Sequence, residues 1–168
     1  LNAPLVNRRG PTTHGENIMK PKQLSTLGRL VGSWKGEHVI FESRGRRTEI
    51  DVDLEVRGIV EGWGLEGNMV AEIPGVGRYV RKEMWGYDSD SDTVRMFSVT
   101  NDGKTHDRRG VWVDDNTLRL RCSTVANGKG HVVEEMTVVL HDHKMALRNA
   151  TRVNGEVELL LEGVLSKG

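Results

Sequence analysis

The chain has 168 residues, and its 24 basic and 24 acidic side chains cancel to a formal net charge of zero. This balance provides no field of one sign that would gather nucleic acid or an acidic lipid surface, so we expect no nucleic-acid partner. No apolar run approaches the roughly 18 residues of a membrane-spanning helix, and we expect no membrane span. The length predicts one folded domain with a core of its own.

The first residues have the composition of a disordered arm. Three of the four prolines and the run Asn7-Arg8-Arg9-Gly10 lie within the first 21 residues. We predict an arm over residues 1–22, in which Met19 could be a natural start, and a folded domain over residues 23–168. Cys122 is the single cysteine, so no disulfide can form within these residues. A cytoplasmic location in a bacterial cell is the simpler expectation, and a periplasmic one stays open.

A short helix is predicted before the first strand. Leu24, Leu27 and Leu30 are spaced by three, which places them on one helical face, and Gly28 limits the stability of that helix. The phrase Gly32-Ser33-Trp34-Lys35-Gly36 follows directly. After it, the apolar pattern changes to a period of two, which is typical of strands.

The clearest predicted strand is 49–57, in which Ile50, Val52, Leu54 and Val56 alternate with charged residues. One face of this strand is apolar and the other is charged, as in a sheet with one side in water. The segment 63–73 repeats the alternation. Further strands are predicted at 34–43, 78–87, 93–99, 105–113, 117–125, 131–140, 144–153 and 156–165.

Turn residues separate these strands at regular intervals. The turn clusters are Pro74-Gly75, Asp88-Ser89-Asp90, Asn101-Asp102-Gly103, Asp114-Asp115-Asn116, Asn127-Gly128, His141-Asp142-His143 and Asn154-Gly155. The spacing leaves no room for crossover helices, and an open meander of this length would expose two strand edges. We therefore predict an all-β fold, a closed antiparallel up-and-down β-barrel of eight to ten strands with a short N-terminal helix at one end.

Polar side chains on otherwise apolar strand faces are the candidates for a ligand site inside the barrel. Polar groups in such an interior need a partner, which is another side chain, water or a ligand. The candidates for ligand contact, with the aromatic residues of the same faces, are His38, Trp63, Tyr79, Arg81, Glu83, Trp85, Glu134 and Asn149. Glu134 is the first choice, because an acid among apolar neighbours has either a raised pKa or an Arg partner. The alternative is that bulges shift the parity or that these groups form a structural network.

The order of these elements resembles that of a known superfamily. Gly32-Ser33-Trp34 at the start of the first strand, after a short helix, resembles the calycins, which include lipocalins and fatty-acid-binding proteins. The pattern over 27–36 resembles the bacterial lipocalin-like proteins of family 1579 among the domains of unknown function. Trp85-Gly86-Tyr87-Asp88 followed by Thr93-Val94 fits a phrase of that family, and the likeness covers about residues 24–166.

The resemblance implies structural roles and one alternative ligand. In lipocalins the Trp of this motif packs across the closed end of the barrel under an Arg from a late strand. Gly32 and Trp34 are therefore expected to be structural, with Arg148 and Arg152 as candidates for the stacked Arg. The nitrobindin branch begins with a similar phrase and binds haem through a His, which makes haem an alternative. No segment here matches the His-bearing strand of that branch, so no axial ligand is assigned.

Two further motifs are expected to carry no chemistry. Gly62-Trp63-Gly64-Leu65-Glu66-Gly67 matches a dinucleotide-binding pattern, but a strand follows it where that pattern needs a helix. His141-Asp142-His143 has the spacing of a turn and lacks Cys or His partners elsewhere. We therefore expect neither a metal site nor a cofactor.

The main functional hypothesis is a binding protein that holds a small apolar or amphipathic molecule inside the barrel. An enzyme of the cyclase or isomerase type ranks second, with Glu83, Glu134 or His38 as acid or base, because no catalytic spacing is recognisable. A self-associating structural protein with a filled barrel is the third hypothesis. Pairing of two copies as a homodimer stays open.

Overall fold

The structure is a computed structural model that describes residues 20–126, 128 and 130–168. Residues 1–19 of the predicted arm and Asn127 of a predicted turn lie outside the described residues. Helix α1 (Lys22–Leu27) continues as a 3₁₀ turn over Gly28–Leu30, and a second 3₁₀ turn covers Val60–Gly62. The strands are β1 Gly32–Ser43, β2 Arg46–Ile59, β3 Gly64–Ile73, β4 Gly77–Asp88, β5 Thr93–Thr100, β6 Thr105–Trp112, β7 Thr117–Ala126, β8 Gly130–His141, β9 Lys144–Val153 and β10 Glu156–Lys167.

The ten strands form a closed antiparallel barrel in chain order. Each strand pairs with its neighbours in sequence, and β1 pairs with β10 to close the sheet. The predicted all-β barrel with a short helix at one end is confirmed. The alternation predicted for β2 is observed, because Ile50, Val52, Leu54 and Val56 are all buried. Within the described residues, the helices are too short and too polar to cross a membrane.

The up-and-down order places alternate turns at opposite ends of the barrel. The first residue of β1 and the β4–β5, β6–β7 and β8–β9 turns lie at the end that carries α1, which we call the helix end. The β1–β2, β3–β4, β5–β6 and β9–β10 turns lie at the opposite end, which we call the far end. Both names are used below to locate residues along the barrel axis.

Helix α1 covers the helix end because its leucines turn inward. Leu24, Leu27 and Leu30 are buried in the core, as their spacing predicts. Arg29 fixes the helix to the β6–β7 turn, since it donates to the carbonyl oxygen of Asp115 and to Oδ1 of Asn116, each at 2.9 Å. Burial of three leucines and these hydrogen bonds together hold a helix that is too short to be stable alone.

Trp34 lies beneath this helix and is 2% exposed. Its Nε1 donates to the carbonyl oxygen of Leu30 at 2.7 Å, and Nζ of Lys167 lies 5.0 Å from the ring centroid. The stacked cation is therefore Lys167 at the end of β10, and not Arg148 or Arg152. Those two arginines alternate with the inward-facing residues of β9 and pair with Glu162 and Glu135 on the outer wall.

A β-bulge in β1 reverses the direction of His38. The register of β1 against β2 shifts between Gly36 and Val39, and His38 has a φ of 55°. Val39 therefore faces the interior, and a Cβ at Gly36 or Gly163 would lie within 3.0 Å of its Cγ2. The expectation that His38 shares the inward face of Trp34 is wrong. Its side chain is 80% exposed and pairs with Glu49 at 2.9 Å.

The barrel wall is incompletely paired toward the far end. The β2–β3 ladder ends at Val52↔Ala71, although both strands continue. The β6–β7 ladder ends at Arg109↔Arg121, although β6 begins at Thr105 and β7 runs to Ala126. These strands separate at the far end, so the side chains there have fewer neighbours than those beneath the helix.

Candidate functional site

The barrel interior contains a layer of buried polar side chains in its far half. These residues, which we call the polar layer, are Arg81, Glu83, Ser98, Thr100, Arg108, Glu134 and Asn149. They come from β4, β5, β6, β8 and β9, and each follows the inward parity of its strand. The helix half of the interior is apolar instead, with Trp34, Leu65 and Met96 among its buried residues. The interior is thus divided along the barrel axis.

Arg81 and Glu83 form an ion pair on β4 that is almost completely buried. Glu83 Oε2 also accepts a hydrogen bond of 2.9 Å from Nε1 of Trp85. A Cβ at Gly67, which pairs with Glu83, would lie 3.0 Å from that oxygen, so the glycine leaves room for the carboxylate. Burial lowers the pKa of Arg81, but the interactions with Glu83 and Tyr79 together raise it by more, and the guanidinium stays protonated.

Glu134 is the centre of a second cluster at the separated edges of β6 and β7. It accepts from Nη2 of Arg108 at 2.8 Å and from Nδ1 of His106 at 2.7 Å, with Sγ of Cys122 at 3.6 Å. Of the two environments expected for this acid, the structure contains the Arg partner. Burial raises the pKa of Glu134, but its interactions with His106, Arg108 and Cys122 together lower it by more, so the carboxylate is ionised at neutral pH.

The cysteine beside Glu134 is a protonated thiol at neutral pH. Burial and the negative charge of Glu134 raise the pKa of Cys122 to about 11. Only a minute fraction of this thiol is thiolate near pH 7, and the thiolate is the form that acts as a nucleophile. The raised pKa of Cys122 therefore does not support covalent catalysis by its thiol.

Several polar atoms of the polar layer have no hydrogen-bond partner. They are Nε and Nη2 of Arg81, Oε1 of Glu83, Oγ of Ser98, and Nε and Nη1 of Arg108. Nη2 of Arg81 and Oε1 of Glu83 are close enough for an ion pair, but their orientation is not that of a hydrogen bond. Native interiors pair most buried polar groups, so a group of such atoms on one layer needs an explanation.

The pKa of Arg108 is shifted downward, mainly by burial. Burial lowers its pKa, the charge of Glu134 raises it, and the nearby positive charge of Arg81 lowers it further. The net shift is downward, whereas the net shift of Arg81 is upward. Tyr79 as well as Glu83 raises the pKa of Arg81, whereas Glu134, the ion-pair partner of Arg108, also contacts His106 and Cys122.

Solvent reaches the inward-facing side chains that lie beyond the polar layer. Phe41, Tyr79, His106, Val132 and Thr151 follow the inward parity of their strands but are only half-buried. Phe41 and Tyr79 still pack against the hydrophobic core. The far end thus presents both apolar and polar groups to a molecule that approaches along the barrel axis.

The helix half of the interior is filled by side chains. A cavity of about 10 Å³ lies between the apolar half and the polar layer, lined by Met69, Met136 and Met145 as well as Arg81 and Glu83. That volume suits about one water molecule. A larger groove of about 490 Å³ lies where β2 and β3 separate. It is lined by His38, Glu49, Asp51 and Asp53 of the outer face and by Ile50 and Ala71 of the inner face.

The structure gathers most of the predicted ligand-contact residues and excludes two. Arg81, Glu83, Glu134 and Asn149 belong to the polar layer, while Tyr79 and Trp85 lie on the same face of β4. His38 faces outward, and Trp63 lies at the helix end, 39% exposed, with Nζ of Lys20 at 5.9 Å from its ring. Their expected place inside the barrel is wrong. Within the described residues, no group of three or more His, Cys, Asp or Glu could hold a metal ion.

The sequence prediction missed the contribution of β5 and β6. Ser98, His106 and Arg108 were not among the predicted contact residues, although His106 and Arg108 both pair with Glu134. The signal was present in β6, because His106 and Arg108 share the parity of Trp112, which packs against the core. A charged residue on an inward parity is the same signal that identified Arg81 and Glu134.

The fold and this interior define a class of protein, a closed ten-strand barrel that is apolar at one end and polar at the other. No protein-family model matches the sequence, and a search of curated proteins finds no match. Among solved structures, the chain is similar to Rv2717c from M. tuberculosis, with a TM-score of 0.64 and 15% sequence identity over 89% of this chain and 99% of that chain. At this identity the similarity shows the fold alone. It does not identify a particular family.

Proposed function

We propose that the protein binds a small amphipathic molecule in the far half of the barrel, with the polar end of the molecule against the polar layer. The observation that carries this proposal is a set of buried donor atoms that have no hydrogen-bond partner in the protein, which are Nε of Arg81, Oγ of Ser98, and Nε and Nη1 of Arg108. A bound molecule would supply their partners. Pockets for small molecules commonly combine an apolar wall with a few convergent polar groups of this kind.

The far half is favoured over the helix half because its inward-facing side chains beyond the polar layer are partly exposed, whereas those of the helix half are buried. The cavity between the apolar half and the polar layer has about 10 Å³, well below the roughly 300–1,000 Å³ of ligand pockets. The apolar part of the molecule would instead lie against Phe41, Tyr79 and Val132, which are half-buried beyond the polar layer. This arrangement places the polar end inward and the apolar end toward the barrel opening.

Haem does not fit the interior as the structure has it. The macrocycle needs a large apolar cavity. The cavity inside the barrel has a volume of about 10 Å³ and is enclosed by side chains. His106 is the one histidine of the described residues that is not exposed, and its Nδ1 is hydrogen-bonded to Glu134 within a charged cluster. A role for Glu134 as a general acid gains no support, because Arg108 and His106 hold its carboxylate ionised.

Binding of a fluorescent apolar amine tests the proposal. N-phenyl-1-naphthylamine is expected to give a saturable rise in fluorescence with the whole protein, and native mass spectrometry is expected to detect a co-purified small molecule in part of the preparation. Phe41→Ala should weaken binding of the amine, because it removes an apolar contact at the far end. Phe97→Ala is the matched control, since Phe97 is exposed on the outer face of β5. A non-saturable signal, or equal effects of the two substitutions, would contradict the proposal.

A further inference from the structure

Three arginines form a row across the outer faces of β5, β6 and β7, which we call the arginine row. Arg95 pairs with Arg109, and Arg109 pairs with Arg121, so like charges are direct neighbours on adjacent strands. Such neighbours destabilise a sheet. Asp107 compensates Arg95 at a distance of 3.3 Å. Arg109 and Arg121 are exposed, as is Arg119 on the same face of β7, and these three arginines form no hydrogen bond or ion pair with any described residue.

Carboxylates form a second row on the outer face of β2, which we call the acidic row. Its members alternate with the buried side chains of the strand and are all exposed; they are Glu49, Asp51, Asp53 and Glu55. His38 contacts Glu49, and the hydroxyl of Ser33 donates to Glu55. Asp51 and Asp53 have no hydrogen-bond or ion-pair partner in the part of the chain that the structure describes. The middle of the acidic row therefore carries uncompensated negative charge.

The two rows lie on opposite sides of the barrel. From β7 to β2 the wall passes through β6, β5, β4 and β3 in one direction and through β8, β9, β10 and β1 in the other. The formal net charge of zero therefore does not describe the surface, which has two walls of opposite sign. The expectation that no field of one sign exists holds for the chain as a whole but not for these two walls.

The acidic row borders a concave surface that suits an arginine side chain. The groove of about 490 Å³ between β2 and β3 is lined by Asp51, Asp53 and Glu72 of the outer face, with the buried side chains of Ile50 and Ala71 beneath them. An arginine can lay its apolar stem against such a floor while its guanidinium binds carboxylates at the edge. The groove therefore complements the arginine row both in charge and in its apolar floor.

We propose that the arginine row of one copy of this chain docks against the acidic row of a second copy. A two-fold symmetric pair would bring the same surface of both copies together, and like charges would then face each other. The docking is head to tail instead, because the two rows lie on opposite sides of the barrel. Each pair keeps one free arginine row and one free acidic row, so further copies can add at both ends. This inference is independent of the ligand site inside the barrel.

Sedimentation velocity of the whole wild-type protein tests the proposal. At low salt the mean sedimentation coefficient is expected to rise with protein concentration and to pass the value of a dimer. Exposed ion pairs contribute little individually, so the association is expected to be weak and reversible. The association constant should fall about tenfold or more as NaCl is raised from about 0.01 M to about 1 M, because the Debye length falls from about 30 Å to about 3 Å.

Two neutralising variants separate the two surfaces. Arg109→Gln together with Arg121→Gln weakens the arginine row, and Asp51→Asn together with Asp53→Asn weakens the acidic row. All four positions are exposed, so the melting temperature of both variants should stay close to that of the wild type. Each variant alone should be monomeric, because it lacks one of the two surfaces. An equimolar mixture should form a dimer with one copy of each variant and grow no further, because only one complementary pair of rows is intact.

Arg148→Gln together with Arg152→Gln is the matched control, because it removes the same charge from the outer face of β9 and should associate like the wild type. A wild type that is monomeric at the lowest salt would overturn the proposal and leave the arginine row for an anion of another kind. Association that does not depend on salt would indicate contact through exposed apolar side chains such as Phe97, and association that stops at a dimer would indicate a two-fold contact. Either result, or a mixture of the two variants that stays monomeric, would contradict head-to-tail docking.

Discussion

The two tryptophans near the helix end provide a direct test of how this barrel is closed. Trp34 is buried and donates from Nε1 to the carbonyl oxygen of Leu30 at 2.7 Å, whereas Trp63 is 39% exposed. Trp34→Phe removes that donor and part of the ring from the core. Trp63→Phe makes the same chemical change where the side chain touches solvent.

The expected magnitudes follow from these surroundings. An unpaired buried carbonyl at Leu30 costs about 1–3 kcal/mol, and the smaller buried ring of Trp34→Phe costs about 1 kcal/mol more. Trp34→Phe should therefore lower the free energy of unfolding by about 2–4 kcal/mol, the sum of these two ranges. Trp63→Phe should change it by less than about 0.5 kcal/mol, which is typical of surface substitutions.

Urea denaturation followed by far-ultraviolet circular dichroism measures both values without relying on tryptophan fluorescence. The comparison is valid if the free energy of unfolding falls with urea concentration at the same slope in the wild type and both variants. Equal costs for the two substitutions would refute the structural role assigned to Trp34. A cost below about 0.5 kcal/mol for Trp34→Phe would refute it as well.

Three further predictions concern reactivity, pH dependence and backbone packing. Because burial raises the pKa of Cys122 from 9.0 to about 11, its thiolate fraction near pH 8 is about a hundredfold below that of an ordinary thiol, and alkylation by iodoacetamide should be correspondingly slow. Glu134→Gln should speed that alkylation. Hydrogen bonds from Lys82 and Arg57 lower the pKa of Glu66 from 4.5 to about 2, so its stabilising contribution is complete above pH 4.5 and is lost as the pH falls toward 2. Glu66→Gln should therefore flatten the decline of the melting temperature over that interval, and a parallel decline in both proteins would contradict this. Gly110→Ala should destabilise severely because a Cβ there would overlap a backbone carbonyl of β7, while Gly86→Ala, with nothing within 4 Å, should leave the urea midpoint nearly unchanged.

The barrel itself could be predicted from the sequence because its strands are regular. The apolar alternation in β2 and the inward parity of Arg81, Glu83 and Glu134 hold in the structure, since a period of two survives wherever no residue is inserted. The prediction of a closed barrel followed from the number of strands and the absence of crossover helices. All of these features can be recognised in a single sequence, because they depend on the local pattern of apolar, polar and turn residues.

The residues that were misplaced lie where the backbone departs from that pattern. The bulge between Gly36 and Val39 turns His38 outward, and a period of two cannot reveal such a bulge. Val60 and Glu61 both have positive φ values in the 3₁₀ turn before β3, so Trp63 lies outside the strand that was expected to contain it. Each error has a local backbone cause.

Partners across the barrel could not be assigned from one sequence. Lys167 lies over Trp34 because β10 closes against β1 and pairs these two residues, which depends on the register of closure. Arg108 meets Glu134 although β7 stands between their strands, because β6 and β7 separate at the far end. Contacts of this kind depend on three-dimensional closure and not on the pattern of any one strand.

The most direct test of the central claim is nuclear magnetic resonance of the nitrogen-bound side-chain protons during a titration with N-phenyl-1-naphthylamine. The Nε–H signals of Arg81 and Arg108 should show the largest saturable shifts, and the indole N–H of Trp85, which donates to Glu83, should follow them. The indole N–H of Trp34 at the helix end should stay in place. Saturable shifts centred on Trp34 or on the outer groove at His38, with the two arginines unchanged, would contradict a ligand site in the far half of the barrel.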